Sequence, residues 1–226
     1  MRYALRATAV EAGHVRGHLA FYSELKDMVE PGIGRLLVAS LHQGIADVSP
    51  ARLDFYEDWL SPTGLRDGRI GLAPLGAVLS FLHREPPPAD DEIPARAGSY
   101  AAAWALGERS ATRQALTVRL PLALRARIAL RLGRALVHDT IPGSRVHTKW
   151  RRGQAVVEIR SPLFDQLREP STTPMRRFYA AAYGECLRAC GVEGVVAIQD
   201  LASACRMSVA VQGPRAVATS AVLDLR

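Results

Sequence analysis

Three cysteines are the residues of this chain whose type and spacing most suggest chemistry. Cys186 and Cys190 are four residues apart, which places them on one face of a helix, and Cys205 follows at the start of a predicted strand. Three thiolates with Glu185 or Asp200 could bind zinc, although zinc sites more often use tightly turned CxxC pairs. Because free cysteine is commonly buried, we predict three buried, reduced thiols. A zinc site and a redox disulfide are the open alternatives.

The six histidines form a second possible ligand set. His14 and His18 share a helical face, but the HExxH pattern of zinc proteases is absent. His138 ends a long predicted helix beside Asp139, where a positive charge also suits the helix dipole. We expect hydrogen-bonded histidines rather than metal ligands, and haem ligation stays open. The other histidines are His42, His83 and His147.

No set of residues in the sequence indicates catalysis. The chain lacks GxSxG, a Walker A loop and a GxGxxG turn after a strand. The acid pair Asp90 and Asp91 lies in a proline-rich segment, where carboxylates keep the chain solvated. We therefore assign no catalytic residue and favour a protein that is not an enzyme.

The amino-acid composition limits which partners the protein can bind and where in the cell we expect it. The 226 residues suffice for one large or two small domains, and a hydrophobic fraction of 48% supports a substantial core. The net charge is +7, but the aromatic content of 6% and the lack of a nucleic-acid-binding motif argue against nucleic acid. Neither a long apolar run nor a secretory signal is present, so we expect a bacterial cytoplasmic protein without a membrane span.

A proline-rich segment divides the chain. Residues 85–98, EPPPADDEIPARAG, contain prolines that cannot continue a helix and acids that keep the segment in water. We predict a linker there, between an N-terminal helical portion (1–84) and a C-terminal domain (99–226). Apolar residues at helical spacing predict the helices before it, which span 13–30, 34–45, 49–60 and 73–85.

The C-terminal domain has a definite order of elements. Two helices come first, and the second, at 120–141, has apolar residues near one face and arginines on the other. SRVHTKWRRGQAVVEIRS predicts a β-hairpin, because a turn of two arginines and a glycine separates its strands. A helix from about Pro174 ends at Gly191. A second hairpin follows, and 216–226 form one more strand or a loose tail.

This C-terminal portion resembles the 4-vinyl reductase domain. The stretches that carry the resemblance are LPLALRARIALRLGRALVHDTIPGSRVHTKWRRGQAVVEIRSPLF, PMRRFYAAAYGECLRACG and VVAIQDLASACRMSVAV, within 98–212. They are similar to proteins linked with bacteriochlorophyll synthesis as 4-vinyl reductases, a group related in fold to small TRAPP-complex subunits and haem–nitric-oxide-binding domains. The resemblance implies an α+β fold, in which a helical layer packs on a twisted antiparallel sheet, with an N-terminal helical extension.

The resemblance also implies a ligand. An apolar pocket between helices and sheet would make this a soluble protein that binds a hydrophobic small molecule, a tetrapyrrole or another aromatic compound. The candidate pocket residues, which suit a plain core equally well, are Trp104, Leu132, Leu136, His138, Phe164, Phe178, Tyr179 and Tyr183.

Zinc is not transferred from the family to this chain. Some members bind zinc through a cysteine before the penultimate helix, a Glu-x-x-Cys step and a final cysteine. Cys205 matches the final position, but the middle step falls on residues 199–203, which hold no cysteine. The first position falls near Met175. We therefore expect no metal site.

Two other functions stay open. TRAPP-like relatives imply an adaptor that forms a homodimer or binds a protein partner through a sheet edge or a basic helix face. A reductase acting on a tetrapyrrole vinyl group would need a nicotinamide or flavin supplied by a partner, because no cofactor motif is present. The arginines of the basic face are Arg125, Arg127, Arg131 and Arg134.

Overall fold

The computed structural model describes residues 33–60, 72–107, 117–151, 154–166, 172–199 and 204–212. The predicted helix at 13–30 and the segment 216–226 lie outside them. The described helices are α1 (Arg35–Val48), α2 (Leu53–Leu60), α3 (Leu72–His83), α4 (Ala89–Gly107), α5 (Leu122–Thr140), α6 (Pro162–Gln166) and α7 (Thr173–Ala189), with a 3-10 turn at Pro50–Arg52. The strands are β1 (Arg145–Arg151), β2 (Gln154–Arg160), β3 (Glu193–Gln199) and β4 (Cys205–Gln212).

The four strands form one antiparallel sheet in the order β1-β2-β4-β3. Both predicted hairpins are therefore confirmed, and the pairing of β2 with β4 joins them. One face of the sheet is buried against the helices, because alternate side chains of a strand point to the same side. The buried residues on this face include Ala155, Val157, Ile159, Cys205, Met207 and Val209. Helices packed on an antiparallel sheet confirm the predicted α+β fold.

Helix α7 lies at the centre of the part of the chain that the structure describes. It packs against α4 and α5 and against strand β3. It ends where the sequence predicts: Gly191 has φ of 64°, a left-handed conformation that glycine adopts at no steric cost. Gly98 of α4 permits the close approach of α7, because a Cβ there would lie 2.1 Å from the carbonyl oxygen of Phe178.

Residues 89–98 of the predicted linker form the first half of α4. Three acids, Asp90, Asp91 and Glu92, occupy the first turn, where negative charge suits the positive end of the helix dipole. Pro94 lies inside the helix and is buried with Ile93. Burial of these apolar side chains offsets the hydrogen bond that proline cannot donate. Only 84–88 interrupt the helices here.

The core is continuous across this segment. Buried side chains from Ile33 in the N-terminal portion to Val209 in β4 belong to one hydrophobic cluster. Helix α1 packs on α4, and α4 packs on α7. The residues before and after the proline-rich segment thus share one interior. Among the helices that the structure describes, none has the length and apolar character needed to span a membrane.

Candidate functional site

The predicted pocket residues do not converge on one site. Phe164, on α6, and the three aromatic residues of α7 are buried in the core. His138 is exposed on α5. Leu132 and Leu136 line a cavity of about 50 Å³ between α4 and α5. Trp104 is partly buried on α4 and stacks on the ring of Tyr100, with 5.7 Å between ring centroids.

Two tyrosines of α7 place hydroxyl groups in the interior. The Tyr179 and Thr140 hydroxyls lie 3.1 Å apart and share a hydrogen bond. The Tyr183 ring lies against Gly133 of α5, and its hydroxyl forms no hydrogen bond with any described residue. Burial raises the pKa of both phenols above the ordinary tyrosine value. Both side chains are therefore neutral core residues at physiological pH.

The three cysteines are buried, as predicted, and none of them forms a disulfide within the described residues. Burial raises the pKa of the Cys205 thiol to about 12, and the nearby Arg176 guanidinium only partly opposes this shift. A thiol with so high a pKa is a poor nucleophile and a poor metal ligand, since both roles need the thiolate. Within the described ranges, no group of three or more His, Cys, Asp or Glu side chains is placed to hold a metal ion.

The described residues do not fit a haem held by histidine between the helices and the sheet. Of the histidines in the described ranges, His42 and His83 are partly buried, and His138 and His147 are exposed. The partly open cleft of about 50 Å³ between α4 and α5 is also far below the several hundred Å³ typical of small-molecule pockets. A tetrapyrrole would need a larger space elsewhere.

A groove of suitable size lies on the other flank of α7. Its volume is about 570 Å³, within the usual range of small-molecule sites. The start of α4, the outer flank of α7 and the helix-facing side of β3 border it, and it is widely open to solvent. Its lining residues are Asp91, Ala95, Arg177, Ala180, Ala181, Gly184, Gly194, Val196 and Ile198.

The groove is open because its α7 wall is made of small residues. Arg177, Ala180, Ala181 and Gly184 recur at three- and four-residue intervals and so share one face of the helix. A Cβ at Gly184 would meet no atom within 4 Å, so space continues above the backbone there. The apolar Val196 of β3 faces the same space.

One end of the groove carries charge. Arg177 of α7 forms an ion pair with Asp91 of α4, and the side chains are 30% and 56% exposed. A guanidinium at this position can donate two parallel hydrogen bonds to the carboxylate of a ligand. A pair that is only partly buried contributes little to stability, so an incoming acid can replace Asp91 at small cost. The groove can thus hold an apolar body and bind one acidic group.

Sequence reasoning missed every residue of this groove. It selected aromatic side chains, whereas the groove is lined mainly by alanine, glycine and aliphatic residues. The available signal was the run of small residues that follows Arg177 at helical spacing. One arginine of the predicted basic face of α5 has a structural partner. Arg125 donates a hydrogen bond of 2.6 Å to the carbonyl oxygen of Gly191, in the turn before β3.

Comparison with solved structures supports the architecture. The fold is similar to that in the crystal structure of a point mutant of an H-NOX protein from K. algicida, in the unliganded Fe(II) state. The TM-score is 0.56 at 10% sequence identity, and the match covers 81% of this chain and 98% of that chain. The chain therefore has an H-NOX-like α+β fold. No family model matches the sequence, and no curated protein does.

Proposed function

We propose that this protein binds a flat, apolar small molecule with an acidic group, either a tetrapyrrole or a smaller aromatic acid, in the groove between α4, α7 and β3. The observation that carries the proposal is the combination of size and lining. A space of about 570 Å³ has small, mostly apolar walls and one arginine at its end. Ligand sites commonly combine apolar surface with a few polar groups that fix orientation.

The groove suggests an orientation for the ligand. The ring system would lie along Ala180, Ala181 and Gly184, where the absence of bulky side chains lets a planar molecule approach the helix backbone. The acidic group would bind Arg177 in place of Asp91. The aromatic residues on the opposite flank of α7, which include Tyr179, would hold the helix in place through their packing in the core.

The resemblance and the fold point to the same chemical class. The C-terminal portion resembles 4-vinyl reductase domains, which are linked with tetrapyrroles, and the fold is like that of an H-NOX protein. The groove also lies between helices and sheet, where the resemblance implied a pocket, although other residues line it. Binding alone accounts for these features, and we retain the prediction that the protein is not an enzyme.

Titration with protoporphyrin IX tests the proposal. We expect saturable binding with one equivalent per chain, followed by absorbance and by quenching of the porphyrin fluorescence. The dimethyl ester of protoporphyrin, which lacks the acidic groups, should bind more weakly because it cannot pair with Arg177. Absence of saturable binding by protoporphyrin IX and by a panel of smaller aromatic acids would rule out the proposed function.

Two matched glycine variants locate the site. Gly184→Leu places a side chain in the groove, whereas Gly107→Leu places the same side chain at the end of α4, and both positions are open for a Cβ. The groove variant should lose about tenfold or more in affinity through steric exclusion. The other should bind like the unmodified protein. Equal affinities for both variants would place the ligand elsewhere.

A further inference from the structure

The two edges of the sheet differ in how they are protected. Strand β1 forms one edge and carries Arg145 and Lys149, and charged side chains discourage pairing with another strand. Strand β3 forms the other edge, and its sequence after Glu193 has no charged residue. An uncharged edge with exposed apolar side chains normally pairs with another strand.

Strand β3 is also the most exposed strand among those described. Val195 is 57% exposed and Ile198 is 37% exposed. These side chains point to opposite faces of the sheet, so neither face of β3 is fully covered. Within the described structure, the faces of the strand are thus only partly covered, and its outer backbone edge pairs with no strand.

A segment that can cover this edge follows directly in the chain. Strand β4 ends at Gln212, which lies opposite Glu193 at the start of β3. Residues 213–226 come next, and they begin with Gly213 and Pro214, which suit a turn. Residues 216–223, AVATSAVL, contain no charge and are rich in β-branched and small residues.

We propose that residues 216–222 pair with the free edge of β3 as a fifth strand, parallel to β3. The direction follows from the starting point, because β4 ends beside the beginning of β3. To pass from β4 to the far side of β3, the chain must cross two strand spacings, about 10 Å. Four Cα–Cα steps of about 3.8 Å separate residue 212 from residue 216, a reach of about 15 Å, so the chain can turn and still span this distance. Seven residues then lie beside the seven of β3.

This segment is a better occupant of the edge than a second copy of the chain. A tethered segment acts at an effective concentration in the millimolar range, whereas a second copy must be recruited from solution. The net charge of +7 also opposes association of two identical chains. The fifth strand would extend the floor of the groove beside Val196 and leave Arg177 open. Pairing of this strand with β3 does not require a bound ligand.

Hydrogen exchange tests the fifth strand without any ligand. The full chain is compared with a chain that stops at Gln212, with exchange measured in peptides that cover β3 and β1. We expect the outward amides of β3 to exchange about tenfold or more faster in the shortened chain, because they lose their partners. The β1 peptide, at the other edge, should be unchanged. Equal exchange of β3 in both chains would overturn the proposal.

Proline variants remove the backbone donors without shortening the chain. Ala218→Pro combined with Ser220→Pro should give the same loss of β3 protection, because proline has no N–H to donate. Asp224→Pro, which lies beyond the paired residues, should leave β3 protected. Two results would assign the edge to another occupant: protection that depends on protein concentration together with a dimer mass in light scattering, or protection lost only when residues 1–32 are removed.

Discussion

The two flanks of helix α7 differ in side-chain size and therefore in what they can do. The inner flank carries Phe178, Tyr179 and Tyr183, which are fully buried against other helices and the sheet. The outer flank carries Ala181 and Gly184 and borders the groove. Large side chains fill the space around a helix, whereas small ones leave it open to a ligand. In this fold, the aromatic residues mark the core and the small residues mark the candidate site.

The largest expected effect on stability comes from adding a side chain at a position packed against α7, away from the groove. Gly98→Val should destabilise the protein by about 3 kcal/mol or more, because its side chain would meet the backbone of Phe178, which cannot move aside. Gly184→Val, on the open flank, should change stability by no more than about 1 kcal/mol. Urea unfolding followed by circular dichroism measures both. Similar losses for the two variants would remove the distinction between the flanks.

The second largest effect should be a loss of stability at alkaline pH, caused by buried groups around the inner flank of α7. The pKa of Cys205 is raised to about 12 in the folded protein, and those of Tyr179 and Tyr183 are raised as well, all mainly by burial. Below pH 9 the thiol is protonated in both states, so its contribution to stability is fully present. Above pH 9 the unfolded state loses the proton first, and stability falls by up to about 1.4 kcal/mol per pH unit for this group until pH 12.

Unfolding free energies measured between pH 7 and pH 11 test this dependence. They should be nearly constant up to about pH 9 and then fall. The variant Cys205→Ala should lose less stability above pH 9 than the unmodified protein does. An identical slope for the two proteins would show that Cys205 titrates normally when folded.

Substitutions on the outer flank of α7 should change ligand affinity rather than stability. Arg177→Leu should weaken binding of protoporphyrin IX about tenfold, equivalent to about 1.4 kcal/mol, because the acid loses its partner. Asp91→Asn should strengthen binding by about twofold to fivefold, since it removes the competing carboxylate. Fluorescence titration at low and high salt measures both. A stability loss without an affinity change in Arg177→Leu would make the ion pair structural only.

The smallest expected effects on stability distinguish two tyrosines on the inner flank of α7. Tyr179→Phe removes the hydrogen bond with Thr140 and should cost about 1 kcal/mol. Tyr183→Phe removes a buried hydroxyl that has no hydrogen-bond partner among the described residues. It should be neutral or stabilising by up to about 1 kcal/mol. Thermal unfolding of the pair gives the comparison, and equal losses would mean that the Tyr183 hydroxyl also has a partner.

The sequence predicted those features that local rules determine. Gly191 ends α7 because glycine accepts its positive φ, and both hairpins follow from β-branched runs separated by turn residues. Local rules failed at Pro94, where packing against the core and an acidic first turn keep a proline-containing segment helical. The sequence therefore predicts a linker where the first ten residues of α4 lie.

The groove could not be predicted in the same way. Its walls come from segments around residues 91–95, 177–184 and 194–198, which are brought together only by the fold. Alanine and glycine also carry no chemical signal that distinguishes a ligand wall from a tightly packed helix contact. Gly98 and Gly184 show the ambiguity: each is a helical glycine, but one faces a neighbouring backbone and the other faces open space.

The strand order has a consequence for how the chain folds. Each hairpin is local, but the pairing of β2 with β4 brings together strands that are separated in sequence by α6, α7 and β3. Contacts between distant segments form late, because closing a long loop costs entropy before it gains contacts. During synthesis, the β2 edge of the first hairpin therefore remains unpaired until β4 leaves the ribosome. The nascent chain is most prone to aggregate in that interval.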